Sequence, residues 1–194
     1  MSEILQRIKH QLNESSDIIR LLAETSSDQI AEVAALMADC MRSGGKVLLF
    51  GNGGSASDAQ HLAGELVGRF RMERNAFPAI SLATNTSIIT AVANDYEYNM
   101  IFARQVEALG RKTDVIVGIS TSGNSPNVVE GIKKAKQIGA KTVGLTGGNG
   151  GKIAELADMA LIVPSSDTPR IQEAHIVIGH IICDVVEKLM TSNK

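Results

Sequence analysis

Residues 115–129 read VIVGISTSGNSPNVV, and this stretch decides the fold. Its apolar part, 115–119, is typical of a buried strand, and Pro126 in a first turn is typical of a helix start. The same succession of an apolar strand, a turn and a helix recurs from Lys46 onwards. Strands that alternate with helices in this way predict a mainly parallel sheet with helices on both faces.

The alternation predicts a single α/β domain, a three-layer doubly wound fold with a five-stranded parallel sheet. Residues 1–43 are predicted to form additional N-terminal helices, and residues 46–194 are predicted to form the α/β core. We expect the first helix to pack against another subunit, because it lies outside the repeating pattern. The predicted strands lie near 46–50, 79–82, 114–119, 141–145 and 159–163, and the predicted helices near 3–25, 28–43, 56–70, 86–95, 100–109, 126–138, 150–156 and 169–191.

The composition argues against several classes of function. A net charge of −2, a pI near 6.1 and 3% aromatic residues do not favour nucleic acid as a partner. The longest apolar stretch, 176–186, is interrupted by His180 and Asp184 and is too short to span a membrane. Cys40 and Cys183 are isolated and are predicted to be reduced core thiols. We expect a cytoplasmic protein, since the first residues lack the pattern of a signal peptide.

Four hydroxyl side chains follow the strand 115–119, namely Ser120, Thr121, Ser122 and Ser125. They lie on a strand-to-helix turn, where the N–H groups of a helix N-terminus are unpaired and attract anions. Hydroxyl and backbone donors can surround a phosphate without any Lys or Arg, and the run contains neither. It therefore predicts a site for a phosphate monoester on a polar small molecule. The alternative is a turn that only caps its helix, but four hydroxyls exceed what one cap requires.

A glycine-rich turn, Gly51-Asn52-Gly53-Gly54-Ser55, follows the strand 46–50. It does not fit the GxGxxG fingerprint of dinucleotide sites, and it lacks the Lys of a phosphate-binding P-loop. We therefore interpret it as a backbone clamp for a small polar ligand, with any tight glycine turn as the alternative. Ser55 and Asp58 have the spacing of a capping box for the next helix.

His61 and Glu65 are four residues apart on that helix and so project from the same face. A histidine and a carboxylate at this spacing can share one divalent cation, or can act as a base and its partner. The alternative is a solvated pair on an outer face. The helix begins at the ligand edge of the sheet, which favours a functional role.

The last helix carries Gln172, His175 and His180 inside an apolar frame. On an ideal helix His175 lies about 60° and His180 about 80° from Gln172, so either histidine can share a site with it. An interior or surface histidine without a catalytic role is the alternative for both. His10, on a polar N-terminal face, is assigned no function.

Motifs along nearly the whole chain resemble the sugar isomerase (SIS) domain family and, within it, the phosphoheptose isomerases. In chain order they are Gly51-Asn52-Gly53-Gly54-Ser55, Asp58-Ala59-Gln60-His61, Glu65-Leu66 with Gly68-Arg69, Asn94-Asp95, 118–125, Leu145-Thr146-Gly147, and Arg170-Ile171-Gln172-Glu173 with His175 and His180. Such a resemblance implies a flavodoxin-like sheet and a homotetramer with active sites at subunit interfaces. One departure is Pro169, where some members have an acidic residue, and Asp167 is nearby.

The resemblance also implies the chemistry and its residues. The activity implied is the interconversion of sedoheptulose 7-phosphate and D-glycero-D-manno-heptose 7-phosphate, the first step of ADP/GDP-heptose biosynthesis for surface polysaccharide, including lipopolysaccharide. The implied catalytic pair is Glu65 and His180, which selects His180 over His175. One Zn²⁺ per subunit is implied at His61, Glu65, Gln172 and His180. The implied substrate contacts are Asn52, Gly53, Gly54, Ser55, Glu65, Asn94, Asp95, Ser120, Thr121, Ser122, Ser125 and Gln172.

Two other functions compete with this one. Other SIS enzymes act on pentose phosphates or amino sugars, but many of them carry further domains for which 194 residues leave no room. Some SIS homologues instead bind replication initiators, and in that group the residues at the positions of Glu65 and His180 are replaced. The presence of both side chains here favours the enzyme.

Overall fold

Five parallel strands form the centre of the computed structural model, which describes residues 1–192. They are β1 (Val47–Gly51), β2 (Ala79–Ser81), β3 (Val115–Ser120), β4 (Lys141–Gly147) and β5 (Met159–Val163). Their order across the sheet is β2-β1-β3-β4-β5. Successive crossovers therefore leave β1 in opposite directions, and the order reverses between β1 and β3. In doubly wound sheets ligands bind at this switch point, beyond the carboxyl ends of the strands.

Eight α-helices cover the two faces of the sheet within residues 1–192. They are α1 (Ser2–Thr25), α2 (Ser27–Arg42), α3 (Gly54–Val67), α4 (Thr86–Asp95), α5 (Ile101–Leu109), α6 (Pro126–Gln137), α7 (Gly151–Leu156) and α8 (Thr168–Thr191). The predicted α/β class, five-stranded parallel sheet and N-terminal helices are confirmed. The last predicted helix, 169–191, corresponds to α8.

The hydrophobic core has one part on each face, because successive strand residues point in opposite directions. Val47 and Leu49 face a cluster that also contains buried residues of α2, α3 and α8. Leu48 and Phe50 face the other cluster, with buried residues of α5 and α6. The Phe50 ring stacks on Phe102 with 4.9 Å between ring centroids. All five residues of β1 are buried, so the strand that leads into the glycine turn lies at the centre of the molecule.

The predicted start of α3 is wrong by two residues, and its predicted capping box does not form. Gly53 adopts a left-handed φ of +53° and is the N-cap residue, so the helix begins at Gly54. Ser55 therefore lies inside the first turn, where it is buried. The carboxylate oxygen Oδ2 of Asp58 is buried and has no hydrogen-bond partner. Glycine in the left-handed region costs little, and this allows the early helix start.

The first helix, α1, leaves apolar side chains exposed to solvent. The apolar residues Ile4, Leu5, Ile8 and Leu12 of α1 are between 48% and 66% exposed. The expectation that α1 packs against another subunit stays a prediction. Among residues 1–192, no helix combines the length and the apolar character needed to cross a bilayer.

Candidate active site

The two polar turns lie side by side at the carboxyl edge of the sheet. Gly51 pairs in register with Ile119, so the residues that follow β1 and β3 emerge next to each other at the switch point. Asn52 and Asn127 exchange two amide hydrogen bonds, each 2.8 Å long. The Tyr98 hydroxyl also donates to Asn52 Oδ1 at 3.2 Å. The glycine turn is thus fixed to the beginning of α6, which follows the hydroxyl run.

The hydroxyl run forms a compact group at the N-terminus of α6. Ser120 Oγ lies 2.9 Å from Ser125 Oγ and 3.5 Å from Ser122 Oγ. Gly123 makes the turn possible with a φ of +65°. Ser125 is the N-cap residue of α6, yet its side chain makes no capping hydrogen bond. The hydroxyls are therefore directed to one another rather than to the helix, which supports an anion site over a simple cap.

A histidine–carboxylate–histidine cluster lies between α3 and α8. His61 Nε2 is 2.7 Å from His180 Nε2 and 3.3 Å from Glu65 Oε1. One ligand atom from each of the three residues lies within 4.8 Å of the other two. The 2.7 Å separation is a hydrogen-bond distance, in which one Nε2 atom donates and the other accepts. The face of α3 predicted from the spacing of His61 and Glu65 is therefore the face that meets α8.

One glycine and a ring stack position this cluster. A Cβ on Gly179 would lie 2.5 Å from Leu62 Cδ2, so glycine allows α8 to approach α3 next to the cluster. The Phe70 ring stacks on the His180 imidazole, with 5.5 Å between centroids and 26° between planes. The His61 and His180 rings meet edge to face at 5.0 Å. Both imidazoles are thus held with their Nε2 atoms toward a common point.

The donor set of this cluster fits a zinc ion. Ligand atoms around a tetrahedral Zn²⁺ lie about 3.3 Å apart, given bonds of about 2.0 to 2.1 Å. The separation between His61 Nε2 and Glu65 Oε1 is 3.3 Å. The two histidine nitrogens, 2.7 Å apart, would separate by about half an ångström to reach the same value. Two imidazoles and a carboxylate are the protein ligands typical of catalytic zinc, which keeps a further position for water or substrate.

Gln172, the fourth predicted ligand, lies eight residues before His180, about 12 Å along the axis of α8. Its amide packs on the beginning of α3, where a Cβ on Gly54 would lie 2.4 Å from Gln172 Nε2. Gln172 therefore lies beside the glycine turn, and its role as a ligand stays a prediction. Pro169 lies in the first turn of α8, where its missing N–H costs no hydrogen bond.

The two histidines that helix spacing left open have different surroundings. His175 is fully buried, and its Nε2 lies 3.0 Å from the carbonyl oxygen of Thr146. Burial lowers the pKa of His175 below its usual value, and the hydrogen bond to Thr146 only partly offsets this effect. It is a neutral interior histidine that attaches α8 to β4. His180, by contrast, lies in the cluster with His61.

Asp58 is a polar residue next to this site that the sequence pattern misassigned. Its carboxyl is one turn before His61 on α3, and burial raises its pKa to about 6, partly offset by the nearby His61. A carboxyl with a pKa moved toward neutrality is typical of functional sites. The three-residue spacing between Asp58 and His61 extends the stripe of His61 and Glu65, which is the signal that could have placed it here.

The remaining predicted substrate contacts lie apart from the cluster. Asn94 and Asp95 end α4 and are exposed, and Asn94 Nδ2 donates to Asp95 Oδ1 at 2.9 Å. Thr121 is partly exposed in the hydroxyl run, whereas Ser55 is only 4% exposed. No residue of α4 is fully buried, but Ile89, Val92 and Ala93 pack partly buried against the core, whereas Asn94 and Asp95 are exposed. Their contact with a substrate stays a prediction.

Comparison with known proteins finds similarity over nearly the whole chain. A sequence profile of the SIS domain matches residues 10–147. The phosphoheptose isomerase of Aquifex aeolicus is 52% identical over 187 residues, which cover 96% of this chain and 98% of that protein. The phosphoheptose isomerase of Pelobacter propionicus is 53% identical and covers 96% of this chain and 99% of its own length. The solved structure of phosphoheptose isomerase from Neisseria gonorrhoeae matches with a TM-score of 0.91 at 41% identity, covering 95% of this chain and 99% of that one.

Proposed function

This chain belongs to the SIS-domain family and is a sugar-phosphate isomerase, and we propose that it interconverts sedoheptulose 7-phosphate and D-glycero-D-manno-heptose 7-phosphate. The observation that carries the proposal is the cluster of His61, Glu65 and His180 between α3 and α8. The shared identity of 52% with a phosphoheptose isomerase over nearly the full length supports the same substrates. The close group of Ser120, Ser122 and Ser125 hydroxyls before α6 supports the proposal that the substrate carries a phosphate.

Isomerisation of a ketose to an aldose moves a proton between C1 and C2 through an enediol. The reaction needs a base that removes the proton, an acid that protonates the oxygen, and stabilisation of negative charge. A carboxylate and an imidazole have the acid–base range for these transfers. We assign the transfer of the proton between C1 and C2 to Glu65, and the proton transfers to and from the substrate oxygen to His180.

A zinc ion, one per chain, would be held by His61, Glu65, Gln172 and His180. When bound, it would supply Lewis-acid polarisation of the substrate carbonyl. A carboxylate that binds a metal tightly is a weaker base, so the two roles of Glu65 compete. The Glu65 side chain is 23% exposed, so it also meets solvent beside the cluster. Glu65 can therefore serve as ligand and base at different stages.

The polar turns bind and orient the substrate. Ser120, Thr121, Ser122 and Ser125 would donate hydroxyl hydrogen bonds to the phosphate, with the N-terminus of α6 adding its favourable dipole. The exposed backbone of Gly53 and Gly54 would contact sugar hydroxyls. We assign further contacts with the sugar chain to Asn52, Ser55, Asn94, Asp95 and Gln172.

The biological setting is proposed from the same resemblance. We propose a cytoplasmic homotetramer with its active sites at subunit interfaces, acting at the first step of heptose supply for surface polysaccharide such as lipopolysaccharide. The exposed apolar stripe of α1 supports association between copies, and the exposed end of α4 offers a second surface for it. The predicted substrate contacts Asn94 and Asp95 lie on α4, so an interface there would enclose them.

The purified chain tests the proposed function directly. It should be stripped of metal with a chelator, reloaded with Zn²⁺, and assayed with sedoheptulose 7-phosphate by following the aldose product. We expect turnover that disappears on chelation and returns with about one Zn²⁺ per chain. Ribulose 5-phosphate and glucosamine 6-phosphate serve as controls for other SIS activities. Turnover of a control substrate and not of the heptulose would contradict the assignment, and full activity without metal would remove zinc from it.

A further inference from the structure

A buried carboxylate lies under the loop that connects α3 to β2, residues 68–78. The side chain of Glu187, on α8, is only 1% exposed. Glu187 Oε1 accepts the backbone N–H of Phe70 at 2.8 Å, and Oε2 accepts the N–H groups of Arg71 and Met72 at 2.9 and 3.1 Å. Three consecutive backbone donors thus converge on one carboxylate. The segment 70–72 is thereby attached to α8.

The same carboxylate pairs with a second buried charge, Arg74, whose side chain is 4% exposed. Arg74 Nε donates to Glu187 Oε1 at 3.0 Å. Its other nitrogens donate to carbonyl oxygens at the end of α3, among them those of Glu65 at 2.9 Å and Leu66 at 2.8 Å. The guanidinium also lies 3.8 Å from the centroid of the Phe77 ring. Arg74 therefore adds donors for the carbonyl oxygens at the C-terminus of α3, of which that of Leu66 also accepts the Phe77 N–H at 3.0 Å.

Two residues of the candidate site are held by this network. Phe70, whose N–H binds Glu187, stacks its ring on the His180 imidazole at 5.5 Å. The backbone carbonyl oxygen of Glu65 accepts a hydrogen bond from the Arg74 guanidinium. Glu187 lies seven residues after His180 on α8, nearly on the same face of the helix and about 10 Å further along. The buried Glu187–Arg74 ion pair therefore contacts both Phe70, whose ring stacks on His180, and the backbone carbonyl of Glu65.

The energetics favour a fixed arrangement. Burial alone would raise the pKa of Glu187, but hydrogen bonds from Arg71, Phe70 and Met72 and the charge of Arg74 lower it below its usual value. The carboxylate is therefore ionised and fully satisfied. Removing one partner of such a network leaves buried donors without acceptors, which is costly. The loop has no regular secondary structure of its own to keep Phe70 in place.

We propose that Glu187, with Arg74, is a positioning residue that sets the orientation of His180 and Glu65 through the 68–78 loop. Neither residue needs to touch the substrate in this role. The inference rests on the proposed function only in taking His61, Glu65 and His180 as a metal site. Outer partners that orient metal ligands typically change metal affinity by 10- to 100-fold when mutated.

The test compares Zn²⁺ affinity in three variants with that of the wild type, by competition with a chromogenic chelator. Glu187→Gln keeps the shape of the side chain but presents an amide N–H to backbone donors. Phe70→Leu removes the ring from His180 and leaves the ion pair intact. Asp114→Asn is the matched control, because Asp114 is also a 1% exposed carboxylate that binds backbone N–H groups and Lys46. It lies at the start of β3, at the opposite edge of the sheet from the site.

We expect Glu187→Gln and Asp114→Asn to lower the Tm by similar amounts, while only Glu187→Gln weakens Zn²⁺ binding, by at least about 10-fold. Phe70→Leu should weaken Zn²⁺ binding in the same direction with a smaller loss of Tm. Zn²⁺ affinity of Glu187→Gln equal to that of the Asp114 variant would overturn the proposal. If Glu187→Gln does not fold, unchanged affinity in Phe70→Leu overturns it.

A crystal structure separates this inference from the proposed function. If the wild type binds no Zn²⁺, the proposed metal fails, but the position of Phe70 in Glu187→Gln can still be measured. We expect the centroid separation between Phe70 and His180, 5.5 Å in the wild type, to change in that variant. An unchanged Phe70–His180 stack would refute the positioning role.

Discussion

Replacing Asp58 by Asn should stabilise the protein at neutral pH. Asp58 lies half-buried on α3, and its Oδ2 has no hydrogen-bond partner. The carboxyl pKa rises from its ordinary value of 3.8 to about 6, because burial disfavours the charged form and His61 offsets this only in part. Ionised Asp58 is therefore a cost to the folded state, and Asn has nearly the same shape without the charge.

The sign and size of the effect follow from proton binding. Between pH 3.8 and about 6 the folded state keeps a proton that the unfolded chain has released. The contribution of Asp58 to stability therefore falls as the pH rises through this interval and stays low above it. A pKa difference of this size corresponds to about 3 kcal/mol in full. We expect about 1.5 kcal/mol, because water screens a half-buried group.

Urea unfolding of the metal-free protein at pH 4.5 and pH 7.5, at one protein concentration, measures this difference. Asp58→Asn should exceed the wild type by about 1.5 kcal/mol at pH 7.5 and by much less at pH 4.5. Asp17→Asn is the control, since Asp17 is 68% exposed and pairs only with Arg20 on the surface. It should stay within about 0.5 kcal/mol of the wild type at both pH values. A loss of stability in Asp58→Asn at pH 7.5 would refute the reasoning.

Three further predictions concern the binding loop, the glycine turn and the core. Ser120→Ala with Ser122→Ala should weaken binding of a phosphate ester at least about 10-fold in calorimetry while the Tm changes little; equal affinity would exclude the phosphate role. Gly54→Ala should displace the flexible Gln172 amide, which lies 2.4 Å from the added Cβ, and lower kcat/KM more than Tm; unchanged kinetics would exclude Gln172 from the site. The Cys183 thiol, whose pKa burial raises to about 12, should react with a thiol reagent at pH 8 only after unfolding.

Much of the fold is visible in the sequence, because the strands of a buried parallel sheet are continuous apolar runs. The run 115–119 and the glycine turn after 46–50 predict two strand ends that the structure places next to each other. The parallel arrangement made this adjacency predictable, since the carboxyl ends of parallel strands share one edge. The helix ends were less predictable: α3 begins at Gly54 because Gly53 adopts a left-handed φ, which the sequence does not reveal.

The site was only partly predictable, because its residues come from distant parts of the chain. Spacing identified His61 and Glu65, which share one helix. The 2.7 Å contact between His61 and His180 joins residues 119 positions apart, and helix geometry alone did not choose His180 over His175. Family resemblance made that choice, and the burial of His175 against Thr146 is consistent with it. The sequence did not indicate Phe70, because its stacking on His180 depends on a loop that is attached to α8 through hydrogen bonds to Glu187.

The most direct test of the isomerase mechanism is hydrogen exchange at C1 of sedoheptulose 7-phosphate in deuterated water, measured with zinc-loaded Glu65→Gln and wild type. Gln keeps an oxygen for the metal but cannot accept the proton, and the proposed phosphate site lies on a different loop. We predict exchange at least about 100-fold slower in the variant, the low end of what general acid–base catalysis contributes. Exchange at the wild-type rate would show that another group removes the proton and that Glu65 is only a ligand.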